Sequence, residues 1–257
     1  MGALMSARLF VGAMAVLALL AAAVACGGGD DEEAVQSTLA PSPGAAGTPG
    51  GTPVGTPAPT ESPIPTALEE QLRSMVLHLS EMPAGFSQVE ESFSTNEEVA
   101  NTGDDAAEVL AQLTEWGRVM GHGVVFSSES SDEGGILLVD TTVSLYESDS
   151  GASASFADAV NTARTTDWAA TAGEAIDVGV EEIPPLDIAD EMLWLRLSGT
   201  AMIGEPAAEQ PFIQDVVLLR VGPVRGSVSI VSAVTDVAPV VEDMIRTQAD
   251  NMAAGVE

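Results

Sequence analysis

Hydrolytic or transfer chemistry needs a base held near a nucleophile, and this chain offers few bases. His78 and His122 are its only imidazoles. Serine catalysis would need one of them beside a hydroxyl. Gly151-Ala152-Ser153-Ala154-Ser155 begins as a nucleophile elbow does. It lacks the closing glycine, and no apolar strand runs directly into it. His78 falls near the C-terminal end of a predicted first helix, where a cation suits the helix dipole. His122 stands in a Gly-His-Gly stretch of predicted strand. Two distant histidines and one cysteine do not make a zinc site. Glu129, Asp132 and Glu133 miss the calcium-loop spacing, which needs alternate ligands, a central glycine and a terminal glutamate. A second acidic set, Glu181, Glu182, Asp187, Asp190 and Glu191, surrounds Pro184-Pro185 and reads as a solvated loop. The expectation is a chain without catalytic residues, metal or cofactor.

Binding chemistry has better candidates. Arg196 and Arg220 each interrupt an apolar run, Leu193-Trp194-Leu195-Arg196-Leu197 and Val216-Val217-Leu218-Leu219-Arg220-Val221. A buried guanidinium must be paired. One reading gives both arginines cross-strand salt bridges, a common use of such positions. The other makes them a pair of cations that reads an anionic ligand. Trp194 and Met192 also have two readings: core packing, or the lining of a cavity between sheet and helix. Trp194, Met192, Arg196 and Arg220 are therefore the candidate ligand contacts.

Cys26 is the single cysteine, and its position decides where these residues work. An apolar run from Leu9 to Ala25 precedes it, with Arg8 the only charged side chain upstream; Gly27-Gly28-Gly29 and an acidic cluster follow. This is the layout of an export signal, with a positive end, an apolar core and small residues before the cut. Ala23-Val24-Ala25-Cys26 resembles the lipobox of bacterial lipoproteins. The resemblance implies cleavage before Cys26 and transfer to its thiol of a diacylglyceryl group, which carries fatty acids such as palmitate. Two acyl chains anchor stably where one does not. The alternative is an uncleaved membrane helix, and the run sits at the lower length limit for a span. Both place the rest of the chain outside the cytoplasm, and Arg8 on the inner side agrees. With no second cysteine, no intramolecular disulfide staples the fold.

Residues 27–257 hold all 39 acidic side chains against seven arginines and no lysine, and the whole chain carries a formal charge of −31. Nucleic-acid binding needs clustered basic residues, so it is excluded as a partner. Anionic head groups would also repel this surface. The partners that remain are the membrane, through lipidated Cys26, and a protein or other envelope component. The charge itself reads as solubility.

Residues 27–65 read as a tether. They contain eight prolines and no aromatic residue, too little apolar surface to offset ordering. Gly-Thr-Pro recurs at Thr48-Pro49, Thr52-Pro53 and Thr56-Pro57, a low-complexity spacer. Its reach runs from about 35 Å as a coil to about 120 Å as polyproline II. Thr66 with Glu69 forms a capping-box signature, so one folded domain is expected over residues 66–257.

Leu68, Leu72, Met75, Val76 and Leu79 predict a helix from Ala67 to about Ser80. Further helices are expected after Asp104 or Asp105, from Gly151 to Trp168, and from Pro239 onward. Strands are expected at Phe86–Phe93, Val119–Ser128, Ile136–Tyr146, Ile176–Ile183, Met192–Ser198, Phe212–Val221 and Val224–Val234. Short turns between strands imply an antiparallel sheet. The expected class is α+β, with helices packed on one face. Lipobox, Thr-Pro tether and element order together loosely resemble the extracytoplasmic sensor and lipoprotein domains of actinobacteria and their relatives. Two functions follow as expectations: a non-catalytic binding domain for a protein or envelope partner, and a carrier or sensor of a small apolar or amphipathic ligand.

Overall fold

The structure is a computed structural model that describes residues 66–103, 105–128, 135–171, 175–203, 208–233 and 237–256. The export signal, Cys26, the tether and the Glu129, Asp132 and Glu133 loop lie outside the described residues. The strands form one seven-stranded antiparallel sheet in the order β1-β2-β3-β7-β6-β5-β4. The strands are β1 (Phe86–Ser94), β2 (Arg118–Ser128), β3 (Ile136–Tyr146), β4 (Ile176–Ile183), β5 (Glu191–Ile203), β6 (Ala208–Val221) and β7 (Val224–Ser232). Gly222 takes a positive φ of 54° in the β6–β7 turn, which only glycine adopts freely.

Among the described residues, six α-helices accompany the sheet: α1 (Thr66–Ser74), α2 (Asn96–Ala100), α3 (Ala106–Glu115), α4 (Asp149–Thr165), α5 (Trp168–Thr171) and α6 (Ala238–Val256). The α+β class and the antiparallel sheet are as expected. The single helical face is not. Side chains alternate along a strand, and on β5 Trp194 joins one core while Leu193, Leu195 and Leu197 join another. The first core packs α1 and α6 against Phe126, Val143, Leu219, Val228 and Ile230. The second packs Phe156, Ala159 and Ala163 of α4, with Trp168, against β5 and β6. Leu193–Leu197 of β5 and Val216–Leu219 of β6 are nearly continuous apolar runs because both of their faces are covered.

The first helix also differs from expectation. It stops at Ser74, and Leu79 is 45% exposed in a short 3-10 turn, Leu79–Glu81. Side chains of α6 take the carbonyls that a longer helix would have used. Gln248 Nε2 donates to Met75 O at 2.9 Å and Asn251 Nδ2 to Val76 O at 3.0 Å. Helix α2 was not anticipated, although Thr95 and Glu98 form a complete capping box at its start. Asp105 caps α3 by accepting from Glu108 N.

Candidate functional site

The four residues singled out in the sequence are tied into the fold. Trp194 is 3% exposed, and its Nε1 donates to Asp215 Oδ1 at 2.7 Å. Arg196 faces Asp215 across β5 and β6 and donates to both carboxylate oxygens, at 2.9 and 3.2 Å. Its guanidinium also sits over the Trp194 ring. Met192 packs against the same core and accepts from Leu186 N through its sulfur. Arg220 pairs with Asp190 at 3.0 Å and with Glu191, its register partner. These acids were read from the sequence as a solvated loop; they are what binds Arg220.

The histidines are not assembled with a nucleophile. His78 follows α1 in extended backbone, and its N–H donates to Glu81 Oε2. His122 is buried under α1, stacked on Phe93 and 3.2 Å from Glu91 Oε1. Burial pushes its pKa below the usual value, against the opposing pull of Glu91. Its Nδ1 has no hydrogen-bond partner among the described residues. Neither imidazole meets a serine there, and no described cluster of His, Cys, Asp and Glu could hold a metal ion.

The structure brings a different set together, on the sheet face that carries α4. Cross-strand partners share a face, so the registers lay out three rows. The middle row is Ser92, Gly123, Thr142, Ser227 and Leu218, crossing β1, β2, β3, β7 and β6. On one side lies Ser94, Gly121, Ser144, Arg225 and Arg220. On the other lies Glu90, Val125, Asp140, Ser229 and Val216. The β6 end of this face is apolar and packs on α4. The remainder is polar and small. Glu90 and Ser92 are exposed, Gly123, Val125 and Thr142 half-buried, Ser144 and Ser227 buried. Exposure falls along these rows from the β1 edge toward α4, and this polar stretch of the face is the candidate crevice.

One end of the crevice is cationic. Arg118 is only 7% exposed and folds over Gly121, where any side chain would collide with its guanidinium. It donates to Ser144 Oγ (3.2 Å), Ser94 O (3.2 Å), Ser94 Oγ (2.8 Å) and Asn96 Oδ1 (3.0 Å), all of them neutral. Burial pulls its pKa from 12.5 to about 10; Tyr146 and Glu98 oppose this and the Arg225 charge adds to it. Arg225 is half-buried and is the register partner of Ser144. Its Nη1 donates to Ser155 O (3.2 Å) and Ser155 Oγ (2.8 Å) of α4. Ser155 also shares a 2.6 Å hydrogen bond with Tyr146 Oη, which fastens the helix to this end of the sheet.

The other end holds acceptors. Asp140 is 8% exposed and has no hydrogen-bond or ion-pair partner among the described residues. Burial, with the nearby Glu90 charge, raises its pKa from 3.8 to about 7. Its register partner Ser229 accepts from Gln214 Nε2 at 2.9 Å, which leaves buried Gln214 Oε1 without a partner. Buried polar atoms are nearly always satisfied, so an unsatisfied one calls for an explanation. Four residues of strand separate Ser144 from Asp140, a span of about 14 Å. The sequence did carry a signal for this crevice: polar residues alternate with apolar ones along Val139 to Tyr146 and Val224 to Ile230, and two glycines flank His122.

Among the described residues, no helix is long and apolar enough to cross a membrane. No protein-family model matches the chain, and no curated protein matches it. Among solved structures, the chain is similar to the extracellular domain of PknH from Mycobacterium tuberculosis, at 10% identity over 77% of this chain and 99% of that one, with a TM-score of 0.48.

Proposed function

We propose that this chain is a non-catalytic binding domain, held outside the cytoplasmic membrane by lipidated Cys26, which takes a polar, oxygen-rich component of the cell envelope into the crevice beside α4. The observation that carries the proposal is the half-polar sheet face. A sheet face is normally covered by apolar packing or left as a solvated, charged surface. This one buries Arg118, Asp140, Ser144, Gln214, Ser227 and Ser229 beside α4. Binding sites combine a concave surface with a few fixed polar groups. The lipobox resemblance and the Thr-Pro tether support the location, since they would hold the domain clear of the lipid surface. A partner made of protein would use the same crevice through its polar side chains.

The test is native mass spectrometry on the full chain in detergent, after exposure to an envelope extract of the host. A stoichiometric adduct is expected for the wild type. It should vanish in Ser92→Trp, which fills the mouth of the crevice from an exposed position. No adduct, or one that Ser92→Trp retains, would contradict the proposal.

A further inference from the structure

We propose that Arg118 and Arg225 form an anion subsite at the Ser144 end of the crevice, which receives a carboxylate or phosphate group of the bound component; this rests on the crevice being the binding site.

Charge pairing across the molecule is the first argument. The chain has 39 acidic residues and eight arginines. Arg73, Arg164, Arg196 and Arg220 each reach a carboxylate. Arg246 is exposed on α6. Arg118 and Arg225 are the two arginines set into the fold that make no ion pair with any described carboxylate. In so acidic a chain, two arginines left this way side by side point to a counter-charge supplied from outside.

Their placement is the second. Arg118 Nε donates to Ser144 Oγ, and Arg225 is the cross-strand partner of Ser144, so the two cations flank one serine. Like charges this close repel, and burial of an unpaired cation adds to the cost. An oxyanion between them would relieve both.

Free donors and small neighbours are the third. The Nε and Nη2 groups of Arg225 make no hydrogen bond to any described residue, while Nη1 is fixed on Ser155. A guanidinium edge held in this way suits two oxygens of one anion. The neighbours on the face are Gly121, Ser94, Ser144 and Ser227, all with small side chains. Glu98 and Asp158, the acids that influence these arginines electrostatically, pair with neither.

The test uses the full chain in detergent micelles, labelled with 15N-arginine. Inorganic phosphate and acetate are titrated separately at constant ionic strength, with chloride as the balancing salt. The side-chain Nε resonances of Arg118 and Arg225 should shift and saturate with at least one anion, while that of surface-paired Arg164 stays still. The anion that saturates at lower concentration identifies the group. Arg225→Gln should weaken binding at least tenfold, and Arg225→Lys less. Ser227→Glu, which puts a carboxylate beside Arg225, should abolish the titration and serves if Arg225→Gln misfolds. Failure of both anions to saturate, or unchanged binding in Arg225→Gln with a wild-type melting curve, would overturn the subsite. If the envelope adduct still depends on Ser92 in that case, only the subsite falls; if the adduct is also absent, the crevice falls with it.

Discussion

The two faces of the sheet solve the same burial problem in different ways. Under α1 and α6, Thr141 and Gln248 are matched to each other, while buried His122 Nδ1 has no partner among the described residues. Thr141 Oγ1 donates to Gln248 Oε1, and Gln248 Nε2 donates to Met75 O, so a buried amide closes its own network. Under α4, the apolar half is equally complete, but the polar half keeps an uncompensated Arg118, an unpartnered Asp140 and an orphaned Gln214 Oε1. A fold that could satisfy one buried glutamine so fully had the means to satisfy the other. The faces differ chiefly in charge: the unpaired ionisable groups, Arg118 and Asp140, both lie on the α4 face.

The largest test of this contrast is packing. Leu219 is fully buried on the α1/α6 face, so Leu219→Ala should cost about 3 kcal/mol through lost transfer energy and a cavity. Ser227→Ala on the polar face removes only one side of its pair with Thr142 Oγ1 and should cost about 1 kcal/mol or less. Denaturant unfolding of the two variants measures the difference.

Next comes Asp140. Its folded pKa, about 7, lies above its unfolded value near 3.8. The folded state therefore holds the proton longer, and stability falls as pH rises from about 4 to 7. The loss amounts to a few kcal/mol by pH 8. Asp140→Asn should remove that part of the slope, so the variant should exceed the wild type in stability at pH 8 and match it near pH 4. Equal slopes for the two proteins would place Asp140 in an ordinary solvated site.

Asp215→Ala is expected to be smaller but still clear, at about 2 kcal/mol, because it leaves both Trp194 Nε1 and Arg196 without their acceptor. A red-shifted Trp194 emission should accompany the loss. The smallest effect belongs to His122. Burial lowers its pKa, so the unfolded state binds the proton more readily and stability falls as pH drops below about 6.5. His122→Phe should flatten this acid limb. The closed face thus loses stability toward acid and the open face toward base, and pH-dependent melts of the two variants separate them.

Local patterns were legible wherever one residue's neighbours decide its state. Strand positions followed from alternation, the β6–β7 turn from Gly222-Pro223, and the start of α3 from Asp105. The stop of α1 at Ser74 was not legible, because the side chains that end it, Gln248 and Asn251, arrive from the far end of the chain. The two-faced helix layer was missed for a related reason: a strand apolar at every position says that both faces are covered but not by which helix. The arginines show the limit most clearly. Arg196 and Arg220 stood out by interrupting apolar runs, and register then gave each an acidic neighbour. Arg118 and Arg225 sit at strand starts, where arginine looks ordinary; only the registers that bring both beside Ser144 make them unusual.

The central claim is that the polar crevice is where the chain meets its partner. Amide hydrogen–deuterium exchange on the full chain, with and without envelope extract, tests it most directly. The account predicts slowed exchange in peptides covering Ser92, Gly121 to Val125, Asp140 to Tyr146 and Arg225 to Ser229, with α1 and α6 unchanged. Protection confined to the α1/α6 face or to β4, or no protection at all under conditions where an adduct forms, would contradict it.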